Sequence, residues 1–273
     1  MKKLISFALV ALLAVVLTAC GGGDKGIQDG KLVVGASNVP HAEILEQIKP
    51  VLQEQGIELE IKVFQDYVLP NQTLRDKELD ANYFQHIPYL TAQNAEHDYN
   101  FVNVGGIHIE PIGVYSTKHT KLEDLPEGAE ILVSSAVPDH GRVLSLLQEK
   151  GLITLAEGVE RTRATIDDIV DNPKGLKFNT NFEAAFLPTA YKNGEGDAIL
   201  INSNYAIGAG IDPSEEAIAL ESPENNPYVN VIAVRKEDEN NAQIKALVEA
   251  LQTEEVQNFI LEKYKGSVIP AGK

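Results

Sequence analysis

One pattern early in the chain constrains the fold most, because it specifies a strand, a helix and a second strand in direct succession. Residues 32–35 are an apolar run, and residues 41–55 carry apolar side chains at the three- and four-residue spacing of one helix face. Gly56 ends this helix, and residues 57–64 alternate as a second strand does. Strands joined through a helix pair in parallel with a right-handed crossover. The pattern predicts an α/β fold whose loop at residues 37–41 lies at the carboxyl edge of a sheet, where such folds bind ligands.

A second α/β unit follows later in the chain. It consists of a strand at residues 130–135, a helix at residues 141–150 and a buried strand at residues 197–201. Two apolar strands, residues 107–115 and 228–234, connect this unit to the first one. Two such connections predict two lobes with a hinge between them, and a chain of this length has room for both.

The predicted architecture is therefore a two-lobed α/β fold. Each lobe is expected to be a mixed sheet flanked by helices, and the two crossing strands are expected to form the hinge. One long helix at residues 241–266 is predicted to complete the first lobe. The predicted boundaries are residues 31–113 with 229–273 for the first lobe and residues 114–228 for the second.

The N-terminal residues are typical of a secretory signal. A positive start at residues 1–3 precedes an apolar run at residues 4–16, and the sole cysteine, Cys20, follows small residues and precedes three glycines. We predict a signal peptide at residues 1–19, an acylated Cys20 as in bacterial lipoproteins, and a flexible tether at residues 20–30. An uncleaved membrane-spanning helix is the alternative, because the apolar run is close to the shortest length that crosses a bilayer.

The charge of the chain excludes several classes of partner. The formal net charge is −17, and removal of the signal peptide would take away two lysines and make the chain more acidic still. Such acidity disfavours nucleic acid and electrostatic attachment to anionic lipid, so we predict no nucleic-acid partner and a covalent link to the membrane. The sequence has no G-x-S-x-G, H-E-x-x-H or phosphate-binding glycine motif. We predict that the protein is not an enzyme and needs no cofactor.

Residues 63–90 contain an unusual density of aromatic side chains. Tyr67, Phe84, His86 and Tyr89 are too close together in the sequence for all of them to fill one core. Aromatic ring edges attract a thioether sulfur by about 0.3–1.5 kcal/mol per contact. We predict that these four rings form the apolar part of a ligand site between the lobes, with packing in the core as the alternative for each.

Three polar residues are predicted to bind the charged end of a small ligand. Arg142 lies at the start of the predicted helix 141–150, where its guanidinium and free helix N–H groups suit two-point capture of a carboxylate. Asn202 follows the buried strand at residues 197–201, and Asn230 lies inside an apolar crossing strand. Since a buried asparagine needs partners, Asn230 is the stronger candidate of the two. A solvated arginine and asparagines bound to backbone are the alternatives.

Zinc capture is the alternative function. Six histidines occur in the chain, and His108 and Glu110 lie on one face of a predicted strand. The histidines are scattered along the sequence, with no close pair to begin a tetrahedral site. We therefore predict no metal site.

Three motifs in the aromatic region resemble those of the methionine-binding lipoproteins of bacterial methionine ABC transporters. They are Asp66-Tyr67-Val68-Leu69-Pro70-Asn71, Asp80-Ala81-Asn82 and Phe84-Gln85-His86-x-Pro88-Tyr89-Leu90. Weaker matches run from about residue 32 to the C-terminus. The resemblance implies a type II periplasmic-binding-protein fold.

The same resemblance implies roles for individual residues. In that family the aromatic motif lines the methionine side-chain pocket, an arginine of a Gly-Arg pair binds the ligand carboxylate, and asparagines of Ile-Asn and Tyr-Val-Asn motifs bind the polar end. The matching residues here are Tyr67, Phe84, His86, Tyr89, Arg142, Asn202 and Asn230. Before the Gly-Arg pair the family usually has Asn-Asp-Pro-Ser/Thr-Asn, whereas this chain has Ser135-Ala136-Val137-Pro138-Asp139. Asp139 is expected either to pair with Arg142 or to bind a ligand ammonium.

These observations predict a lipid-anchored substrate-binding protein on the extracytoplasmic face of the cell membrane. The expected ligand is methionine or a close relative, such as D-methionine or a methionyl peptide. The expected partners are the permease and ATPase subunits of an ABC importer.

Overall fold

The computed structural model describes residues 26–271, which form a six-stranded and a five-stranded β-sheet with helices packed around them, together with a small two-stranded sheet. The predicted signal peptide and Cys20 lie outside the described residues. Of the predicted tether at residues 20–30, only residues 26–30 are described.

The described strands and helices alternate along much of the chain. The strands are β1 (Lys31–Ser37), β2 (Glu58–Phe64), β3 (Ala81–His86), β4 (Phe101–Ile109), β5 (Gly113–Tyr115), β6 (Glu130–Ser134), β7 (Thr154–Leu155), β8 (Ile169–Asp171), β9 (Lys177–Phe182), β10 (Ala198–Ile201), β11 (Ala219–Leu220), β12 (Val229–Arg235) and β13 (Ile269–Pro270). The helices are α1 (Glu43–Glu54), α2 (Leu69–Arg75), α3 (Ile87–His97), α4 (Val137–Glu149), α5 (Leu187–Lys192), α6 (Ser203–Gly208), α7 (Pro213–Glu216), α8 (Ala242–Leu251) and α9 (Glu254–Tyr264).

The larger sheet has the strand order β13-β4-β12-β3-β1-β2. β1 pairs in parallel with β2 and β3, whereas β12 pairs antiparallel with β3 and β4, so the sheet is mixed. The predicted strand–helix–strand unit forms its β1–β2 edge. Helix α1 buries the apolar face expected from its spacing, which consists of Ile44, Leu45, Ile48 and Leu52. Gly56 then has a φ of +78°, a left-handed conformation that glycine adopts without strain and that turns the chain into β2.

The second sheet has the order β11-β5-β10-β6-β9 and is mixed as well. Strand β6 separates two apolar layers, because successive side chains of a strand point to opposite faces. Ile131 and Val133 belong to the layer that contains α4, and Leu132 belongs to the layer that contains α5. Both lobes are thus sheets covered by helices, as predicted.

The chain passes between the two sheets at residues 110–112 and again at residues 221–228. The prediction of one unbroken strand over residues 107–115 is wrong, since β4 ends at Ile109 and β5 begins at Gly113. Pro111 lies in the gap and has no N–H for strand pairing. The Glu221 N–H donates to the Ile112 carbonyl oxygen at 3.0 Å, so the two crossing segments run side by side.

The predicted single helix at residues 241–266 is also wrong, because the chain forms α8 and α9 with a break at Gln252 and Thr253. Thr253 has extended backbone angles. In a straight helix, Val256 and Ile260 would lie about 120° or more around the axis from Ile244. The break turns both apolar sets toward the same core of the larger sheet.

Candidate ligand-binding site

A cavity lies between the two sheets, beside the carboxyl ends of β3 and β10. It is lined by His41, Tyr67, Phe84, Gln85, His86, Tyr89, Glu110, Asp139, Arg142, Asn202, Ser203, Asn204 and Asn230. A space walled by aromatic rings and a few polar groups is typical of a small-molecule site.

All seven residues that the sequence predicts for a ligand site line this one cavity. The segment before α2, together with β3, α3 and β12, contributes Tyr67, Phe84, His86, Tyr89 and Asn230. Arg142 lies on α4, and Asn202 follows β10, so both come from the second sheet's side. The two lobes therefore share the walls of the cavity.

Three rings form an aromatic cage on one side of the cavity. The ring centroids of Tyr67, Phe84 and Tyr89 lie 6.0–6.2 Å from one another. The Tyr89 hydroxyl donates to the Tyr67 carbonyl oxygen at 3.0 Å, which fixes one ring relative to the next. The cage offers an apolar wall with ring edges and faces at several orientations.

His86 lies next to the cage and points toward Asp139. Its Nδ1 accepts a hydrogen bond from the Tyr89 backbone N–H at 3.1 Å, so the ring proton lies on Nε2. Nε2 donates that proton to Asp139 Oδ1 at 3.0 Å. This bond joins the end of β3 to the first turn of α4, and hence the two lobes.

Asp139 is 1% exposed and lies among hydrogen-bond donors. Asn202 Nδ2 donates to its Oδ2 at 2.9 Å, and Arg142 Nη1 lies 3.9 Å from its Oδ1. Burial, the largest single influence, raises the pKa of this carboxyl. The hydrogen bond from His86, the positive charge of Arg142 and the bond from Asn202 together outweigh burial, so the pKa lies below its ordinary value and the group is a carboxylate.

Arg142 is buried, and its position on the helix differs from the prediction. Helix α4 begins at Val137, four residues before the predicted start, because Pro138 fits the first turn of a helix. Arg142 is therefore in the second turn, and the free N–H groups of the helix start are not beside it. Its Nε donates to Glu221 at 3.1 Å and its Nη2 also bonds Glu221, so this edge of the guanidinium is already occupied.

The two predicted asparagines have different partners. Asn230 Oδ1 accepts from His41 Nε2 at 3.0 Å. Asn202 donates to Asp139, while its Oδ1 is buried and has no partner among residues 26–271. An orphaned buried oxygen in a cavity wall is an available acceptor for a ligand.

The prediction that the histidines stay apart is wrong, because His41 and His108 meet in a buried polar cluster with Glu110, and His41 and Glu110 line the cavity. The rings of His41 and His108 lie 4.9 Å apart, and Glu110 Oε1 lies 2.7 Å from His108 Nε2 and 3.3 Å from His41 Nε2. Burial lowers the pKa of His41 to about 4 and that of His108 to about 3, and burial raises the pKa of Glu110. The Tyr83 hydroxyl bonds His108 Nδ1, so the group is internally hydrogen-bonded.

Further contacts join the lobes beside the cavity. The Tyr67 hydroxyl donates to Asn204 Oδ1 at 2.7 Å, and the Tyr205 hydroxyl donates to the Gln65 carbonyl oxygen at 3.2 Å. The Tyr67 and Tyr205 rings lie 4.9 Å apart. The structure therefore has its lobes in contact around the cavity.

Sequence reasoning missed several residues that line the cavity, among them His41, Gln85, Glu110, Ser203 and Asn204. The available signals were the loop after β1, predicted at a ligand-binding sheet edge, and the spacing of His108 and Glu110. Neither signal indicates that the crossing segment turns Glu110 toward this cavity.

The fold and the cavity between its lobes define a substrate-binding protein of the periplasmic-binding-protein type. A model of the NlpA lipoprotein family matches residues 32–272. The chain belongs to the NlpA lipoprotein family, which confirms the family resemblance of its motifs.

Relatives cover essentially the whole chain. The methionine-binding lipoprotein MetQ of Bacillus subtilis is 48% identical over 276 residues and covers 100% of both chains. The D-methionine-binding lipoprotein MetQ of Escherichia coli is 35% identical over 98% of both chains. The solved structure of a nutrient binding protein from Burkholderia cenocepacia bound to methionine is 40% identical, with a TM-score of 0.82 over 88% of this chain and 100% of that one.

Between residues 26 and 271, no helix is long and apolar enough to cross a bilayer.

Proposed function

We propose that the protein binds methionine in the cavity between its lobes and delivers it to an ABC importer. The observation that carries the proposal is one cation and one anion beside an aromatic cage. Arg142 Nη1 and Asp139 Oδ1 lie 3.9 Å apart, and both side chains are buried. This spacing suits the carboxylate and ammonium groups of an α-amino acid, which share one carbon atom and need charged or hydrogen-bonding partners once buried.

The two charges receive opposite ends of the ligand. Arg142 Nη1, which lies on the Asp139 side of the guanidinium, binds the ligand carboxylate. Asp139 binds the ammonium, since a carboxylate has about four acceptor sites and, within residues 26–271, two strong donors occupy them. Asn202 Oδ1, which has no partner among the described residues, supplies a second acceptor for the ammonium.

The aromatic cage receives the ligand side chain. Tyr67, Phe84 and Tyr89 offer an apolar wall, and each sulfur–ring contact adds about 0.3–1.5 kcal/mol beyond burial. A thioether gains more from such a wall than a charged side chain, which would have to be desolvated there.

The relatives support this choice of ligand. Two of them are named for methionine or D-methionine, and one solved structure contains methionine. They support a methionine-binding transport component and not the zinc-binding lipoprotein that the sequence left as an alternative. Both enantiomers of methionine fit the proposal.

The remaining parts of the proposal concern anchoring and motion. Cys20 carries the lipid and holds the protein on the extracytoplasmic face of the membrane, next to the permease and ATPase of the importer. The protein catalyses no reaction.

The protein moves as two lobes about the crossings, namely residues 31–113 with 229–273 and residues 114–228. Methionine stabilises the closed form through its contacts with both lobes.

Native mass spectrometry and thermal unfolding test the ligand. We expect the purified protein to retain, or to take up from solution, a single methionine. Methionine at one hundred times its dissociation constant should raise the free energy of unfolding by about 2.7 kcal/mol. A chelator-reversible stabilisation by zinc with no response to any amino acid would contradict the proposal.

A further inference from the structure

Glu221 is a buried carboxylate that does not line the cavity. It follows β11 at the start of the second crossing, and its side chain is 0% exposed. Oε2 accepts hydrogen bonds from Arg142 and, at 3.3 Å, from the Ile112 N–H of the first crossing. Oε1 accepts from Arg161 Nη2 at 3.2 Å. Both oxygens are therefore engaged by buried or half-buried donors.

The hydrogen bonds of Arg142 identify which of its groups remains for a ligand. A guanidinium has five N–H bonds. The Nε–H and one Nη2–H go to Glu221, and Nη2 also donates to the Glu110 carbonyl oxygen at 2.7 Å. The Arg142 Cζ atom lies 4.6 Å from the centroid of the Tyr228 ring. Among the described residues, these contacts leave Nη1 on the side of Asp139 and the cavity.

We infer that Glu221 is a positioning residue that orients Arg142 so that Nη1 alone presents N–H donors to the ligand carboxylate. The inference rests on the proposed function, from which it takes the identity of the ligand. It also revises the mode of binding predicted from the sequence, because the Nε–Nη2 edge that a two-point carboxylate contact would use is held by Glu221.

Asp139 explains why such positioning is needed. Asp139 and Arg142 lie three residues apart on one helix, where opposite charges pair readily. A direct Arg142–Asp139 pair would neutralise both groups before the ligand arrives. Glu221 holds two nitrogens of the guanidinium, and Nη1 lies 3.9 Å from Asp139, beyond hydrogen-bond distance, so the Nη1–H groups remain available to a ligand carboxylate.

Glu221→Gln tests the inference with two ligands, methionine and methioninamide, which lacks the carboxylate. Glutamine has one acceptor oxygen for the donors of two arginines and Ile112, so the guanidinium loses its fixed orientation. We expect calorimetric affinity for methionine to fall about tenfold or more and affinity for methioninamide to change less than about threefold. Glu224→Gln makes the same charge change at an exposed position of the same crossing and should leave both affinities unchanged. Equal weakening of both ligands by Glu221→Gln, or no weakening, would overturn the inference.

A second measurement needs neither methionine nor a folded Glu221 variant. In arginine-labelled parental protein, the Arg142 Nε–H resonance, assigned by its loss in Arg142→Lys, should exchange slowly with solvent because it is buried on Glu221. Rapid exchange would overturn the inference. Slow exchange in a parental protein that binds no methionine would refute the proposed function while upholding the placement of Arg142 by Glu221.

Discussion

At the scale of single residues, Asp139 is the point where the two lobes and the proposed ligand meet. His86 donates to one of its oxygens from the first lobe, and Asn202 donates to the other from the second lobe. A carboxylate suits this position because it accepts at both oxygens. An asparagine would offer one oxygen and place its NH₂ group against one of the two donors.

Asp139→Asn should therefore loosen ligand binding. The substitution removes the negative charge that faces the ligand ammonium and sets an amide donor against His86 or Asn202. We expect calorimetric affinity for methionine to fall about tenfold, the effect of losing one hydrogen bond to a charged group. Asp167→Asn, at an exposed position of the same lobe, is the matched control. Tighter binding in Asp139→Asn would instead mean that Asp139 competes with the ligand for Arg142.

The buried histidines predict how stability depends on pH. Burial lowers the pKa of His41 to about 4 and that of His108 to about 3, so between these values and 6.5 the unfolded chain binds more protons than the folded chain. Their contribution to stability is complete above pH 6.5 and is lost as the pH falls. The raised pKa of Glu110 acts in the opposite direction.

The two histidines outweigh Glu110, so the ligand-free protein loses stability as the pH falls. We expect its free energy of unfolding to fall by about 1–3 kcal/mol between pH 7 and pH 4.5. Urea unfolding at the two pH values measures this difference. His108→Gln should flatten the dependence, and His97→Gln, at an exposed position, should not. Equal or greater stability of the parental protein at pH 4.5 would refute the assignment.

The sequence is informative about which residues gather in the cavity and uninformative about how they pair there. Aromatic density and buried asparagines mark Tyr67, Phe84 and Asn230, because such side chains need an unusual environment. The partners of Arg142 depend on Glu221, which is distant in sequence and reaches α4 only through the fold. Pairing across such distances leaves no local pattern to read.

At the scale of elements, Gly141 sets the approach between α4 and the turn at residues 161–163. A Cβ atom at this position would lie 2.1 Å from the Arg161 carbonyl oxygen, which is backbone and cannot rotate away. The same turn carries the Arg161 side chain to Glu221. Glycine is thus required inside this helix by packing, although it is a poor helix former.

Gly141→Ala should lower the free energy of unfolding by about 1–3 kcal/mol despite the better helix propensity of alanine. Gly208→Ala in α6 is the control, because an added Cβ there meets nothing within 4 Å. It should be neutral or slightly stabilising. Chemical unfolding of both variants measures the difference, and a Gly141→Ala protein as stable as the Gly208→Ala protein would show that the turn can move away.

Sequence patterns predict elements well where one face of the element is buried. The clear apolar face of helix α1 predicts its start within two residues of the observed one. The sequence does not predict strand β3, since all six of its residues are buried and the expected alternation is absent. The break between α8 and α9 is set by the core that both helices cover. The local sequence of each helix, taken alone, is compatible with one continuous helix.

In the whole molecule, two lobes contact each other around a buried site. The bonds of Tyr67 with Asn204 and of Tyr205 with Gln65 join the lobes. The described residues therefore have a closed arrangement, and the proposed lipid anchor lies among the N-terminal residues outside them.

Cys20→Ser tests the anchor. A serine cannot receive the thioether-linked lipid, so we expect the variant in the soluble extracytoplasmic fraction, while the parental protein sediments with membranes. Gly22→Ser, which leaves the cysteine in place, should remain with the membranes. A Cys20→Ser protein as firmly membrane-bound as the parent would indicate an uncleaved apolar helix.

Calorimetric titration of ligand-free protein tests whether the cavity recognises a zwitterion through one cation and one anion. We expect one-to-one binding of methionine. Methioninamide, which lacks the carboxylate, and N-acetylmethionine, which lacks the ammonium, should each bind about tenfold or more weakly. Failure of methionine to bind, or equal affinity for all three compounds, would refute recognition of a zwitterion by Arg142 and Asp139.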